Sequence, residues 1–73
     1  MAARSIRTNM AGTITRVEVR AGDSVTKEQV IAIIEVMKME IAIESPDAGR
    51  VSRLHVTGGD LVDEGQTLIT LDT

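Results

Sequence analysis

The chain repeats itself at a fixed offset of 37 residues. Ala11-Gly12-Thr13-Ile14 returns as Ala48-Gly49-Arg50-Val51, and Val17 and Val19 return as Leu54 and Val56. Gly22-Asp23, Val25, Gln29, Ile31 and Glu35 return as Gly59-Asp60, Val62, Gln66, Leu68 and Asp72. No insertion interrupts the offset within the copies, so each is one supersecondary unit. Two units are too few for a solenoid, which needs at least three to bury its faces. The repeat therefore predicts a closed domain with internal two-fold pseudosymmetry, in which residues 11–35 superpose on 48–72.

The 73 residues make a single domain, 1–73, near the lower limit of independent stability. There is no cysteine and no evident metal-ligand cluster, so the core must hold the fold unaided. That core has no aromatic residue; it is drawn from eight Val, eight Ile, four Leu and four Met. Branching at Cβ stiffens χ1 and suits Val and Ile to a pleated surface. The pattern predicts an all-β sandwich or small barrel. Its strands are Ser5–Asn9, Gly12–Val19, Val25–Thr26, Val30–Glu35, Met39–Glu44, Gly49–Val56, Leu61–Val62 and Thr67–Leu71. Turns fall at Ala21-Gly22-Asp23, Ser45-Pro46-Asp47-Ala48-Gly49 and Gly58-Gly59-Asp60. One residue too many interrupts the alternation at Arg16 and again at Arg53, which predicts matched β-bulges that turn both arginines outward. Ile14, Val17, Val19 and Ile33 are expected to meet Val51, Leu54, Val56 and Leu71 in one shared core, because a half-chain cannot bury a face alone.

Several function classes are excluded. Net charge is -3, with both signs interspersed, and neither a basic stripe nor an aromatic platform invites nucleic acid. The longest apolar run, Val30 to Ile34, is far too short to span a membrane. Met1-Ala2-Ala3-Arg4 leads into no apolar signal segment, and a cytoplasmic location is expected. His55 is the only histidine, and no nucleophile, base and orienting group can be assembled around it.

One residue stands apart. Only two lysines occur, Lys27 and Lys38, and Lys38 lies between the copies in the run Glu35-Val36-Met37-Lys38-Met39-Glu40. A lone lysine at a turn is ordinarily a solvated charge, and flanking methionines are ordinarily core. Neither reading accounts for the turn. A two-residue hairpin favours Asn-Gly or Asp-Gly, because types I′ and II′ need positive φ. Met37-Lys38 offers neither, so the turn is expected to be type I, or else strained. Exposed Met is a soft, adaptable contact residue.

Met37-Lys38-Met39 preceded by Glu35, centred between duplicated halves with Gly-Asp turns, resembles the attachment motif of the biotinyl/lipoyl attachment domain family. The resemblance runs from about Met10 to Asp72. It implies a flattened β-barrel, or sandwich of two four-stranded antiparallel sheets, with Lys38 on an exposed hairpin and the termini together at the opposite end. It implies covalent biotin on Lys38, with Met37, Met39, Glu35 and Glu40 recognised by a biotin protein ligase or by partner enzymes. The carrier would shuttle a carboxyl group between biotin carboxylase and carboxyltransferase sites and catalyse nothing itself. Lipoyl domains usually carry Asp-Lys-Ala, so methionine on both sides favours biotin over lipoate. A lipoyl carrier of acyl or aminomethyl groups, and an unmodified binding module of the same fold, are the alternatives. The direct run from Val19 to Val25 leaves no room for the inserted thumb of some bacterial carriers. Met1 with no linker ahead of the first strand suits a free-standing carrier; an excised domain with an added start would look the same.

Overall fold

The computed structural model describes residues 2–73. Eight strands follow in order: β1 (Ala3–Arg7), β2 (Gly12–Val17), β3 (Ser24–Val25), β4 (Val30–Val36), β5 (Met39–Glu44), β6 (Gly49–Leu54), β7 (Leu61–Val62) and β8 (Thr67–Asp72). They form two antiparallel four-stranded sheets, in the orders β5-β4-β2-β7 and β1-β8-β6-β3. An offset of 37 residues carries the first sheet onto the second, strand by strand. Each sheet borrows its short strand from the other half of the chain: β7 joins β2, and β3 joins β6. Neither half can close without the other, and the apolar side chains pool into one cluster that includes Ile14, Ile31, Ile34, Val51, Leu68 and Leu71.

The two halves repeat one another down to single bonds. The ladder shifts register between Ile14 and Arg16 in β2 and between Val51 and Arg53 in β6, and both arginines are exposed. Asp23 accepts from the backbone N–H of Arg20, and Asp60 from that of Thr57, both at 2.9 Å. Gln29 Oε1 accepts from Thr26 N–H, and Gln66 Oε1 from Asp63 N–H. These are the side-chain-closed turns that Asp and amide residues offer a chain leaving a strand. The buried hydroxyls are matched too: Thr8 donates to the carbonyl of Met10 at 2.8 Å, and Ser45 to that of Asp47 at 2.6 Å.

The turns explain where strands stop short of the sequence expectation. Thr26 is spent on its bond to Gln29, so β3 is Ser24–Val25 rather than Val25–Thr26. Thr8 bonds Met10 in both directions, so β1 ends at Arg7 and not at Asn9. β2 and β6 end at Val17 and Leu54, beyond which the chain crosses to the other sheet, yet Val19 and Val56 still reach the core. The expected core is corrected at Ile33, which is only half buried and lies outside the core cluster; Val17 and Leu54 are half buried and pack against that cluster, while Ile31 and Ile34 are fully enclosed. A register shift between Val30 and Ala32 in the β4–β5 ladder breaks the simple alternation there.

β4 and β5 run together from the Val30–Glu44 pair to the Val36–Met39 pair, and the turn Met37-Lys38 caps that end. From Glu44 the chain passes through Ser45 and Pro46 to Gly49, which lies against the Asp72 carbonyl and the Thr73 side chain. Ala2 and Thr73 exchange backbone hydrogen bonds of 3.2 and 2.9 Å. The Ala2–Thr73 pair therefore closes the end away from the hairpin, in a body measuring 37 × 17 × 17 Å.

Candidate attachment hairpin

The structural repeat is longer than the sequence repeat. β1 is the counterpart of β5, and the Ala2–Thr73 pair is the counterpart of Met39–Val36. Residues 2–36 thus match 39–73, and Met37-Lys38 is the entire link between the copies. Sequence comparison missed this extension because β1 and β5 agree in little beyond Ile6 and Ile43.

Both link residues have positive φ, 50° at Met37 and 66° at Lys38. The turn is therefore of the I′ kind, which matches strand twist and requires positive φ at both central positions. The expectation of a type I turn fails and its strained alternative holds. Type I would splay two strands that here stay paired to their last residue. Side chains at such positions meet the following carbonyl, an unfavourable contact that Gly avoids.

The methionines do not pack in the core. Met37 is 91% exposed and Met39 62%. Met39 lies opposite Val36, on the face of the sheet that elsewhere lines the core, but beyond the core's end. Glu35 and Glu40 sit opposite one another across the β4–β5 ladder, both exposed. Like charges placed so are mutually unfavourable. Among the described residues the ion pairs are Arg4–Asp47, at 2.7 Å, and Arg16–Glu18; neither carboxylate of the hairpin, nor Lys38, takes part.

All five residues singled out in the sequence, Glu35, Met37, Lys38, Met39 and Glu40, are thus gathered within one exposed hairpin. Gly12 supports it from β2. A Cβ there would lie 2.4 Å from the Glu35 carbonyl oxygen and 3.0 Å from Val36 Cγ2, so only Gly lets β2 approach this part of β4. Sequence reasoning assigned Gly12 no such part, although its return as Gly49 in the strand-forming region was visible. His55 lies elsewhere, on β6's exit, hydrogen-bonded to Thr70 Oγ1 at 2.8 Å. No group of three or more His, Cys, Asp or Glu among the described residues is placed to hold a metal. Among the described residues no helix is long and apolar enough to cross a membrane.

Known proteins match this arrangement over almost its full extent. The family described as "Biotin-requiring enzyme", the biotin/lipoyl family, matches residues 4–71. A biotin carboxyl carrier protein of Streptococcus mutans is 44% identical over 70 residues, which are 96% of this chain and 54% of that protein. The chain thus spans about half the length of that relative. A biotin/lipoyl attachment protein of Bacillus subtilis is 42% identical over 67 residues, 92% of each chain. A domain of a single-chain, multi-domain long-chain acyl-CoA carboxylase superposes with a TM-score of 0.88 at 31% identity, covering 93% of this chain and 7% of that one. A domain of Kluyveromyces lactis urea carboxylase has the same fold, with a TM-score of 0.91 at 24% identity over 99% of this chain and 6% of that one. With the fold, the duplicated halves and the family match in agreement, the chain belongs to the biotin/lipoyl attachment family.

Proposed function

We propose that this chain is a biotin carboxyl carrier: biotin is joined to Lys38, and the domain presents it in turn to a biotin carboxylase site and a carboxyltransferase site. The observation that carries this reading is the strained turn. The one link between the two halves holds a lysine and an exposed methionine at positive φ, where stability alone favours Gly or Asn. A cytoplasmic setting goes with this reading.

Attachment is an acyl transfer. The Lys38 Nζ lone pair forms an amide bond to the carboxyl carbon of an adenylated biotin. The bond from that carbon to the adenylate oxygen breaks, AMP departs, and the amine's proton passes to a base. No ion pair among the described residues engages Lys38. The ligase supplies the base, and the carrier's contribution is presentation. When attached, biotin supplies a ureido nitrogen that takes up and gives up a carboxyl group. The hairpin keeps the arm clear of the core, and the Ala2–Thr73 pair closes the end away from it. Tethering raises the local concentration of the carried group at each enzyme site. Met37, Met39, Glu35 and Glu40 form the surface that ligase and enzymes meet first.

A lipoyl carrier is the second reading, favoured by the full-length likeness to a protein called a biotin/lipoyl attachment protein. Intact mass after coexpression with a biotin ligase or with a lipoate ligase separates the two. The expected result is one biotin per chain, lost in Lys38→Arg. Biotin retained in that variant, on Lys27 or the N-terminus, contradicts the assignment.

A further inference from the structure

The pseudosymmetry supplies an internal control for the surface beside Lys38. In the sheet that carries the hairpin, Glu40 lies opposite Glu35, Glu35 opposite Thr13, and Thr13 opposite Leu61. Residues opposite one another in antiparallel strands share a face, so these four form one row across the outside of the sheet. It spans about 14 Å at the usual strand spacing. The other sheet contains the same row in the same register: Ala3, Asp72, Arg50, Ser24.

The two rows have the same backbone and different chemistry. At the far end, Asp72 faces Arg50 and the row ends in serine. At the Lys38 end, two carboxylates face one another without a cation, and the row ends in Leu61, which is 80% exposed. Folding does not call for either difference, because the duplicate closes the same sheet with Ser24 in place of Leu61 and Ala3 in place of Glu40. Leu61 has no part in the core: it is 80% exposed, and its neighbour Val62 is the strand's core residue, as Val25 is in the copy.

We infer that Leu61 is the apolar docking contact for the ligase that modifies Lys38, resting on the carrier reading above. The partner surface it fits is an apolar socket flanked by a cation that meets Glu35 and Glu40. Reach selects the ligase over the later enzymes. Before modification the reacting atom is Nζ, at the end of a four-carbon stem. An enzyme acting there must close over the hairpin and touch the strands beneath it. After modification the reacting nitrogen lies beyond the whole biotin chain, and a partner can reach it with little contact to the body of the domain.

The test uses the full chain with a biotin protein ligase, biotin and ATP. Leu61→Ser installs the residue of the duplicate row. The expected result is about a tenfold rise in KM for labelling, with kcat and melting temperature unchanged; tenfold corresponds to about 1.4 kcal/mol. Leu61→Met keeps an apolar contact and should restore KM, and Ser24→Leu, at the far end, should leave it unchanged. Carboxylation of the labelled Leu61→Ser protein by biotin carboxylase should match the wild type. An unchanged KM overturns the inference, as does a lowered melting temperature, or a loss confined to carboxylation. A wild-type chain that takes no biotin overturns the carrier reading itself, whereas a labelled wild type with an unaffected Leu61→Ser variant overturns only the role of Leu61.

Discussion

Replacing Met37-Lys38 with Asn-Gly should make the protein more stable while abolishing its modification. Both native residues hold positive φ, 50° and 66°. The left-handed region costs a residue with a side chain about 1–2 kcal/mol, and Asn is more tolerant there than Met. Gly removes the clash but returns about 0.5–1 kcal/mol through its greater freedom in the unfolded chain. Neither native side chain offsets its strain by packing, since Met37 is 91% exposed and Lys38 is also exposed. The net gain for the pair is therefore about 1 kcal/mol or slightly more. In a domain this small, 1 kcal/mol moves the melting temperature by about 4–8 °C. Thermal unfolding followed by far-ultraviolet circular dichroism reads the shift. Lys38→Arg is the companion measurement: it keeps the strained backbone, so it should melt with the wild type while losing biotin. A double variant that melts at or below the wild-type temperature would refute the reasoning, because it would mean that the native pair is preferred by the fold itself.

Further expectations follow from the matched halves. Glu28 has φ 73° where its counterpart is Gly65, so Glu28→Gly should stabilise by about 0.5–1 kcal/mol and Gly65→Glu should destabilise, both read by urea unfolding. Gly12→Ala and Gly49→Ala place a methyl group 2.4 and 2.6 Å from a carbonyl oxygen, and each should cost about 1–3 kcal/mol; only Gly12→Ala, beneath the hairpin, should also slow labelling. Met37→Ala with Met39→Ala should change stability by no more than about 0.5 kcal/mol while slowing labelling or carboxyl transfer; a loss of several kcal/mol would place the methionines in the core after all.

The sequence carried most of the fold because duplication doubles every signal. An irregularity such as the extra residue at Arg16 is ambiguous alone, and its return at Arg53 made it a bulge. All five hairpin residues were legible for a similar reason: Lys38 lies between the copies, in a turn with the wrong residues for a turn. What escaped depends on long-range register. Ile33 was expected in the shared core, but the register shift between Val30 and Ala32 turns the strand, and that shift is set by the pairing with β5. β1 was not recognised as a copy of β5, because the two strands are both at sheet edges and few of their side chains are constrained. Leu61 went unremarked although Gly22-Asp23-Ser24-Val25 and Gly59-Asp60-Leu61-Val62 differ there. Its meaning came only when four strands aligned it with Glu35 and Glu40.

The closed far end has a mechanical consequence. Ala2 and Thr73 are paired across antiparallel neighbours, so force applied between the two termini opens the β1–β8 ladder like a zipper, a few hydrogen bonds at a time. Force applied between Lys38 and either terminus runs along the 37 Å axis instead. It loads the β4–β5 and β2–β4 ladders in shear, and their hydrogen bonds resist together. The domain is stiff in the direction in which an arm held at Lys38 would pull against a tether, and compliant between Ala2 and Thr73.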